Sequence, residues 1–300
     1  MPATVPSAAT ASATASPRTP AVLRPFRRYP LTAFFLLACF FGWMPYWLAA
    51  LGIGADPSNN PFGPLVAVCI VAACQGRAQL TSWGRSLLRW RARPIWYATA
   101  FLAPIGLVVA SVGANATLGA SLPTAEQLGN GSRPLLAFLF MLLAVGLGEE
   151  VGWTAFAAPV LLRRHSFPTA FVVLAAMRFF WHLPLMLSGE LPWVAVASML
   201  SFQLMLLMLL ASGGPWTLGA VWHASQNAFG GVYFFQMVAG PDKARLGVLM
   251  GLVYVAAAAA SVLWVVRRRP ATTSASARTV PGPDGHEGVL LPTRSGGGHG

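Results

Sequence analysis

Apolar residues in this chain come in long unbroken blocks, not in one-sided stripes, and short polar or arginine-bearing connectors separate the blocks. Roughly 20 consecutive apolar residues make a helix long enough to cross the hydrocarbon core of a bilayer. Blocks at about 31–53, 95–118, 134–162, 168–188, 191–211, 216–237 and 246–266 meet that length, and a shorter one at 63–75 extends through Pro61 and Gln75. The pattern predicts an all-α polytopic membrane protein with about eight transmembrane helices. The connector Arg77 to Arg93 reads differently. Leu80, Trp83, Leu87 and Trp90 recur at three and four residues while Arg77, Arg85 and Arg89 take another side, the pattern of an amphipathic helix on a membrane surface. Residues 1–28 and 269–300, rich in Ala, Thr, Ser, Gly and Pro, are expected to be disordered cytoplasmic tails around a membrane domain at 29–268.

Composition strengthens this reading. Hydrophobic residues make up 56% of the chain and charged ones only 9%, where a soluble domain carries about 25%. A net charge of +12 would ordinarily raise the question of nucleic acid. Here the cations are almost all Arg and cluster at block ends, where positive-inside flanks belong, so no nucleic-acid partner is expected. With eight helices the N-terminus, the 76–94 connector, the 163–165 turn and the C-terminal tail all fall on one side. That side is expected to be the cytoplasm. The opposite loops carry Asp56, Glu126 and Glu190 beside Arg133, Lys243 and Arg245. The expected place is an integral membrane position, with both termini cytoplasmic and lipid as the surroundings; arginine bias and Ala-rich tails suggest a bacterial plasma membrane. Cys39, Cys69 and Cys74 lack metal-site spacing and read as buried thiols.

Few ionisable groups interrupt the apolar blocks: Glu149, Glu150, Arg178, His182 and His223, with the amide Asn227. Each charge at membrane depth costs at least roughly 2.5–3.5 kcal/mol, so such groups face a protein interior or a watery cavity. Arg178 and His182 are four apart, as are His223 and Asn227, so each pair shares a helix face. Glu149 and Glu150 lie about 100° apart around their helix, so only one can point straight at a common centre. A carboxylate with two imidazoles can orient a water and take its proton, and an amide can donate to an oxyanion. Equally, Glu150, His182 and His223 could hold a divalent metal such as zinc with a position open for water. Singly, each residue could also be a helix-to-helix hydrogen bond, and together they could form a proton relay. There is no His-Glu-x-x-His run and no Gly-x-Ser-x-Gly elbow; Ser212 before Gly213-Gly214 is a loose hint of a serine nucleophile.

The residues at about 134–230 resemble the three motifs of the CPBP family of intramembrane proteases, which includes CAAX prenyl endopeptidases of the Rce1 type and bacterial bacteriocin-processing and immunity relatives. The motifs stand here as Glu149-Glu150-Val151-Gly152-Trp153-Thr154, Arg178-Phe179-Phe180-Trp181-His182-Leu183-Pro184 and His223-Ala224-Ser225-Gln226-Asn227. The resemblance implies that Glu149 activates water with help from His182, that His223 and Asn227 steady the oxyanion, and that Glu150 supports the site, with Arg178 and Trp181 beside it. It implies a peptide bond of a membrane-associated, prenylated or other peptide or protein as substrate, reached through a cavity open to the cytoplasm or to lipid. Two positions depart from the family: Thr154 where Arg is common, and Arg178 where an aromatic is common. The guanidinium is expected to have moved from one helix to its neighbour and still to pair with a carboxylate. Two other readings stand beside the protease, an inactive membrane scaffold or bacteriocin-immunity-type protein and a proton-coupled transporter.

Overall fold

The computed structural model describes residues 23–54, 57–129 and 132–268, and among these every regular element is helical. Expectations for residues 1–22 and 269–300 fall outside the described residues. Residues Arg24–Arg28 (α1) form a helical turn, followed by Pro30–Gly42 (α2) and Met44–Ala50 (α3), which meet at a 46° bend. Pro45 at the start of α3 has no N–H to continue the ladder, which accounts for the break. Then come Gly63–Gln75 (α4), Arg77–Leu87 (α5), Pro94–Thr117 (α6) and a turn of helix at Ala125–Gly129 (α7). The long helix Ser132–Arg164 (α8) carries both carboxylates. It is followed by Phe167–Leu187 (α9), Ala195–Ala211 (α10), Trp216–Ser225 (α11), which continues as a π-helical stretch at Gln226–Tyr233, and Gly240–Arg268 (α12).

Among the described residues four helices are long and apolar enough to cross a membrane, and five if the bent α2–α3 pair counts as one crossing. The expected eight is therefore not confirmed as a count of full-length spans. All eight apolar blocks are largely helical, but α4 has 13 residues and α10 has 17, about 20 and 25 Å against a core of about 30 Å, and the α-helical part of the 216–237 block, α11, has only 10 residues. The predicted sixth block fails at its start, because 191–194 is a turn carrying Pro192. The α5 helix stops at Leu87, so Trp90 lies beyond it and is exposed, and Leu80 is exposed as well. Trp83 and Leu87 do pack against the core. Of the cysteines only Cys39 is buried; Cys69 is exposed and Cys74 is partly so.

Side-chain hydrogen bonds tie helix ends together at two opposite levels. At one level Gln75 donates to the Phe26 carbonyl (3.4 Å), and Trp216 Nε1 donates to the Leu87 carbonyl (3.2 Å). Gly76, at φ 108°, makes the tight turn between α4 and α5 there, a conformation that suits a residue without Cβ. At the other level Ser58 donates to Glu190 (3.1 Å), Tyr233 to the Leu128 carbonyl (3.0 Å) and Asn115 to the Asp242 carbonyl (3.1 Å). Between them lies an apolar core in which Phe34, Trp153 and Trp181 are fully buried. Their rings meet edge-on, at 5.1 Å for Phe34–Trp153 and 6.1 Å for Trp153–Trp181.

Candidate active site

Helix α8 is not a regular α-helix where it carries the acids. It passes through π-helical turns at Leu142–Leu147 and again at Trp153–Ala157, with Glu149 and Glu150 between them. A π turn takes in an extra residue, so it re-aims the side chains beyond it, and such turns concentrate at functional sites. Gly148 lets this stretch come close to the neighbouring chain: a Cβ there would stand 2.5 Å from the Pro61 carbonyl oxygen. Its own carbonyl accepts from Leu65 N–H (3.0 Å), one of the free amides at the start of α4.

The two carboxylates have opposite surroundings. Glu150 is fully buried and fully engaged. Arg178 reaches it with both terminal nitrogens, Nη2 to Oε1 at 2.6 Å and Nη1 to Oε2 at 3.3 Å. Thr154 Oγ1 donates to Oε2, and His223 Nδ1 lies 2.7 Å from Oε1. Arg178 also donates to Gln203 Oε1 (3.2 Å), and its guanidinium lies 5.4 Å from the Phe202 ring centre. The guanidinium on α9 thus pairs with a carboxylate on α8, with Thr154 as a second donor to the same oxygen. Glu149, by contrast, has Oε2 buried without a hydrogen-bond partner; Arg178 Nη2 stands 3.8 Å away.

Both histidines have their tautomers set by acceptors. His182 Nδ1 is 2.8 Å from the Arg178 carbonyl, which can only accept, so Nδ1 carries the proton and the Nε2 lone pair is free. His223 Nδ1 faces a carboxylate and is likewise the donor. Trp181 fixes the backbone beside His182: its Nε1 donates to the Ala38 carbonyl (3.1 Å). Its own carbonyl accepts from Trp43 Nε1 (2.9 Å) and Asn59 Nδ2 (3.0 Å).

Glu149, Arg178, His182, His223 and Asn227 all line one cavity of about 480 Å³. Glu150 lies behind its wall. The cavity runs toward Ser58, Asn59, Leu191 and Ala195, at the level where Ser58 meets Glu190. Sequence reasoning missed several of its polar residues, Asn59 and Gln226 among them. Asn59 sits in a loop without periodicity, and Gln226, whose Oε1 is buried and unpartnered, precedes Asn227 in the third motif, where its position was the available signal. Ser212 is exposed at the end of α10, hydrogen-bonded to its own helix, and takes no part.

A metal would have to compete with the arginine. The potential ligand atoms that lie within 4.8 Å of one another belong to Glu149, Glu150 and His223, not to the Glu150–His182–His223 set expected from sequence. Arg178 Nη2 already sits 2.6 Å from Glu150, 3.4 Å from His223 Nδ1 and 3.8 Å from Glu149. The guanidinium already takes both Glu150 oxygens and, standing against the other two groups, repels a second cation, so the group does not fit a divalent ion.

Residues 131–229 match the family described as Rce1-like, type II CAAX prenyl endopeptidase Rce1-like. The match covers about a third of the chain. The family is one of proteases, and the chain is an integral membrane protein. No curated protein matches the chain significantly. The matched stretch takes in every motif residue named above, from Glu149 to Asn227. It leaves outside the helices that brace it: Ala38 and Trp43, which hold Trp181, and Pro61 and Leu65, which hold Gly148, all lie upstream.

Proposed function

We propose that this protein is an intramembrane endopeptidase that hydrolyses a peptide bond of a membrane-associated peptide or protein with a water activated by Glu149 and His182. The observation that carries the reading is the division of labour between the acids. Glu150 spends its oxygens on Arg178, Thr154 and His223, while Glu149 keeps a buried oxygen without a hydrogen-bond partner beside the cavity that His182 also lines. A water between Glu149 and the free Nε2 of His182 gives its proton to the carboxylate as its oxygen attacks the carbonyl carbon. Collapse of the tetrahedral adduct breaks the C–N bond, and the same proton passes to the leaving amine. Asn227 supplies an amide donor to the oxyanion. His223, the other oxyanion partner expected from the resemblance, lines the same cavity.

In this reading the chemistry needs no metal, because Arg178 holds the place of the cation. The test is cleavage of membrane-tethered peptides by purified protein, wild type beside Glu149→Gln, with and without a strong chelator. Wild-type cleavage unchanged by the chelator and lost by about 10²-fold or more in Glu149→Gln is the expected result, that being the usual contribution of a positioned base. Loss of activity on chelation with recovery on adding zinc would overturn the metal-free mechanism. A wild type that cuts nothing would favour the scaffold or transporter readings.

A further inference from the structure

The cavity and the arginines lie at opposite levels of the molecule. Arg24, Arg27 and Arg28, the arginines from Arg77 to Arg93, and Arg163–Arg164 stand where α1, α5 and the end of α8 gather. The contacts Phe26–Gln75 and Leu87–Trp216 belong to this level, and among the described residues no Asp or Glu stands there. The mouth residues Ser58 and Leu191 belong to the other level, with Glu190. A second hollow of about 880 Å³ does lie on the arginine side, among Trp83, Arg89, Arg163 and Trp216, but it shares no lining residue with the first. Glu150 separates them. Thr154, one of its partners, lines the arginine-side hollow, and Arg178 and His223, the other two, line the catalytic cavity. The catalytic cavity also has a side opening. Phe140 of α8 and Leu200 of α10 line it although they are 64% and 37% exposed, so the surrounding lipid reaches the gap between those helices.

Lys and Arg in short loops mark the cytoplasmic side of a membrane protein. We infer that the substrate reaches Glu149 from the non-cytoplasmic half of the bilayer, through the gap between α8 and α10. Its class is a membrane-anchored peptide or the extracytoplasmic flank of a membrane protein. A prenylated tail presented from the cytoplasm would meet the arginine end and the buried Glu150–Arg178 layer instead. This inference rests on the hydrolase reading for the word substrate, but its route stands on the position of the cavity alone.

The test uses the full chain in cells, with the three native cysteines replaced by Ala and single cysteines placed as Ser58→Cys or Ser82→Cys. A membrane-impermeant maleimide is expected to label Ser58→Cys in intact cells and Ser82→Cys only after permeabilisation. Labelling of Ser82→Cys in intact cells overturns the route. In parallel, single-span reporters carry a cleavable peptide library beside the membrane on one face or the other. Cleavage of the extracytoplasmic reporter, lost in Glu149→Gln, supports the inference, and cleavage of the cytoplasmic one overturns it. The expected labelling with neither reporter cut supports the route while overturning the hydrolase reading.

Discussion

Glu149 and Glu150 differ by one position in the chain and by almost everything in their surroundings. Glu150 anchors a buried network through Arg178, Thr154 and His223, so its removal strands a guanidinium in the core. Breaking such a pair costs about 3–5 kcal/mol. Glu150→Gln is therefore expected to lower the melting temperature sharply in detergent, whereas Glu149→Gln, which removes a carboxylate oxygen with no hydrogen bond to lose, leaves it near wild type. The opposite pattern would reassign the two acids. The displaced guanidinium allows a second experiment. Arg178→Leu should destabilise the protein by a similar amount, and adding Thr154→Arg should recover part of the loss, since position 154 lies four residues from Glu150 on the same helix face. Recovery will be incomplete. Thr154 is fully buried, and its Cγ2 is 3.3 Å from where a Cβ on Gly219 would sit, so an arginine must use the space that Arg178 vacates. If the double variant melts no higher than Arg178→Leu, the two positions do not exchange roles.

Among elements, α8 decides the geometry, and it is held by close backbone contacts with α2 and α4. A Cβ on Gly152 would stand 2.7 Å from Pro64 Cβ and 2.9 Å from Phe34 Cε2. Gly152→Ala is expected to cost about 1–3 kcal/mol by overpacking, read as a lower thermal midpoint, with activity falling further than stability because Glu149 shares the displaced segment. An alanine variant as stable and active as wild type would mean that α8 can shift freely there. Apolar block length and spacing made the helices of the membrane domain legible from sequence. The i,i+4 pairs on α9 and α11 made four of the site residues legible too. The missing guanidinium at Thr154, set against the added one at Arg178, pointed to a shared carboxylate from sequence alone. The π turns on either side of the acids were not legible, because a 3.6-residue period assumes an unbroken helix. For the same reason sequence could not say which acid faces the cavity except through the family resemblance. Nor could it place Asn59, which enters the site only through the fold of the α3–α4 connection.

At the level of the whole membrane domain, the short helices and the cavity belong together. Pro61 ahead of α4 and Ala195 at the start of α10 both line the cavity, so both helices stop short at its mouth. Each also exposes an apolar side chain on its outer face, Cys69 on α4 and Leu200 on α10. With lengths of about 20 and 25 Å, they fall short of an ordinary core of about 30 Å. Lipid beside them must thin, at a cost of fractions of a kcal/mol per Å of mismatch. The domain should thus prefer thin bilayers. In nanodiscs of increasing acyl length, the thermal midpoint is expected to be highest with short-chain phosphatidylcholine and to fall steadily as the chains lengthen. Peptide cleavage should fall in parallel, because thicker lipid covers the recessed mouth between α8 and α10. A midpoint that rises with chain length would mean that the full-length helices α6, α8, α9 and α12 govern the match to lipid, and that the short pair is shielded from it.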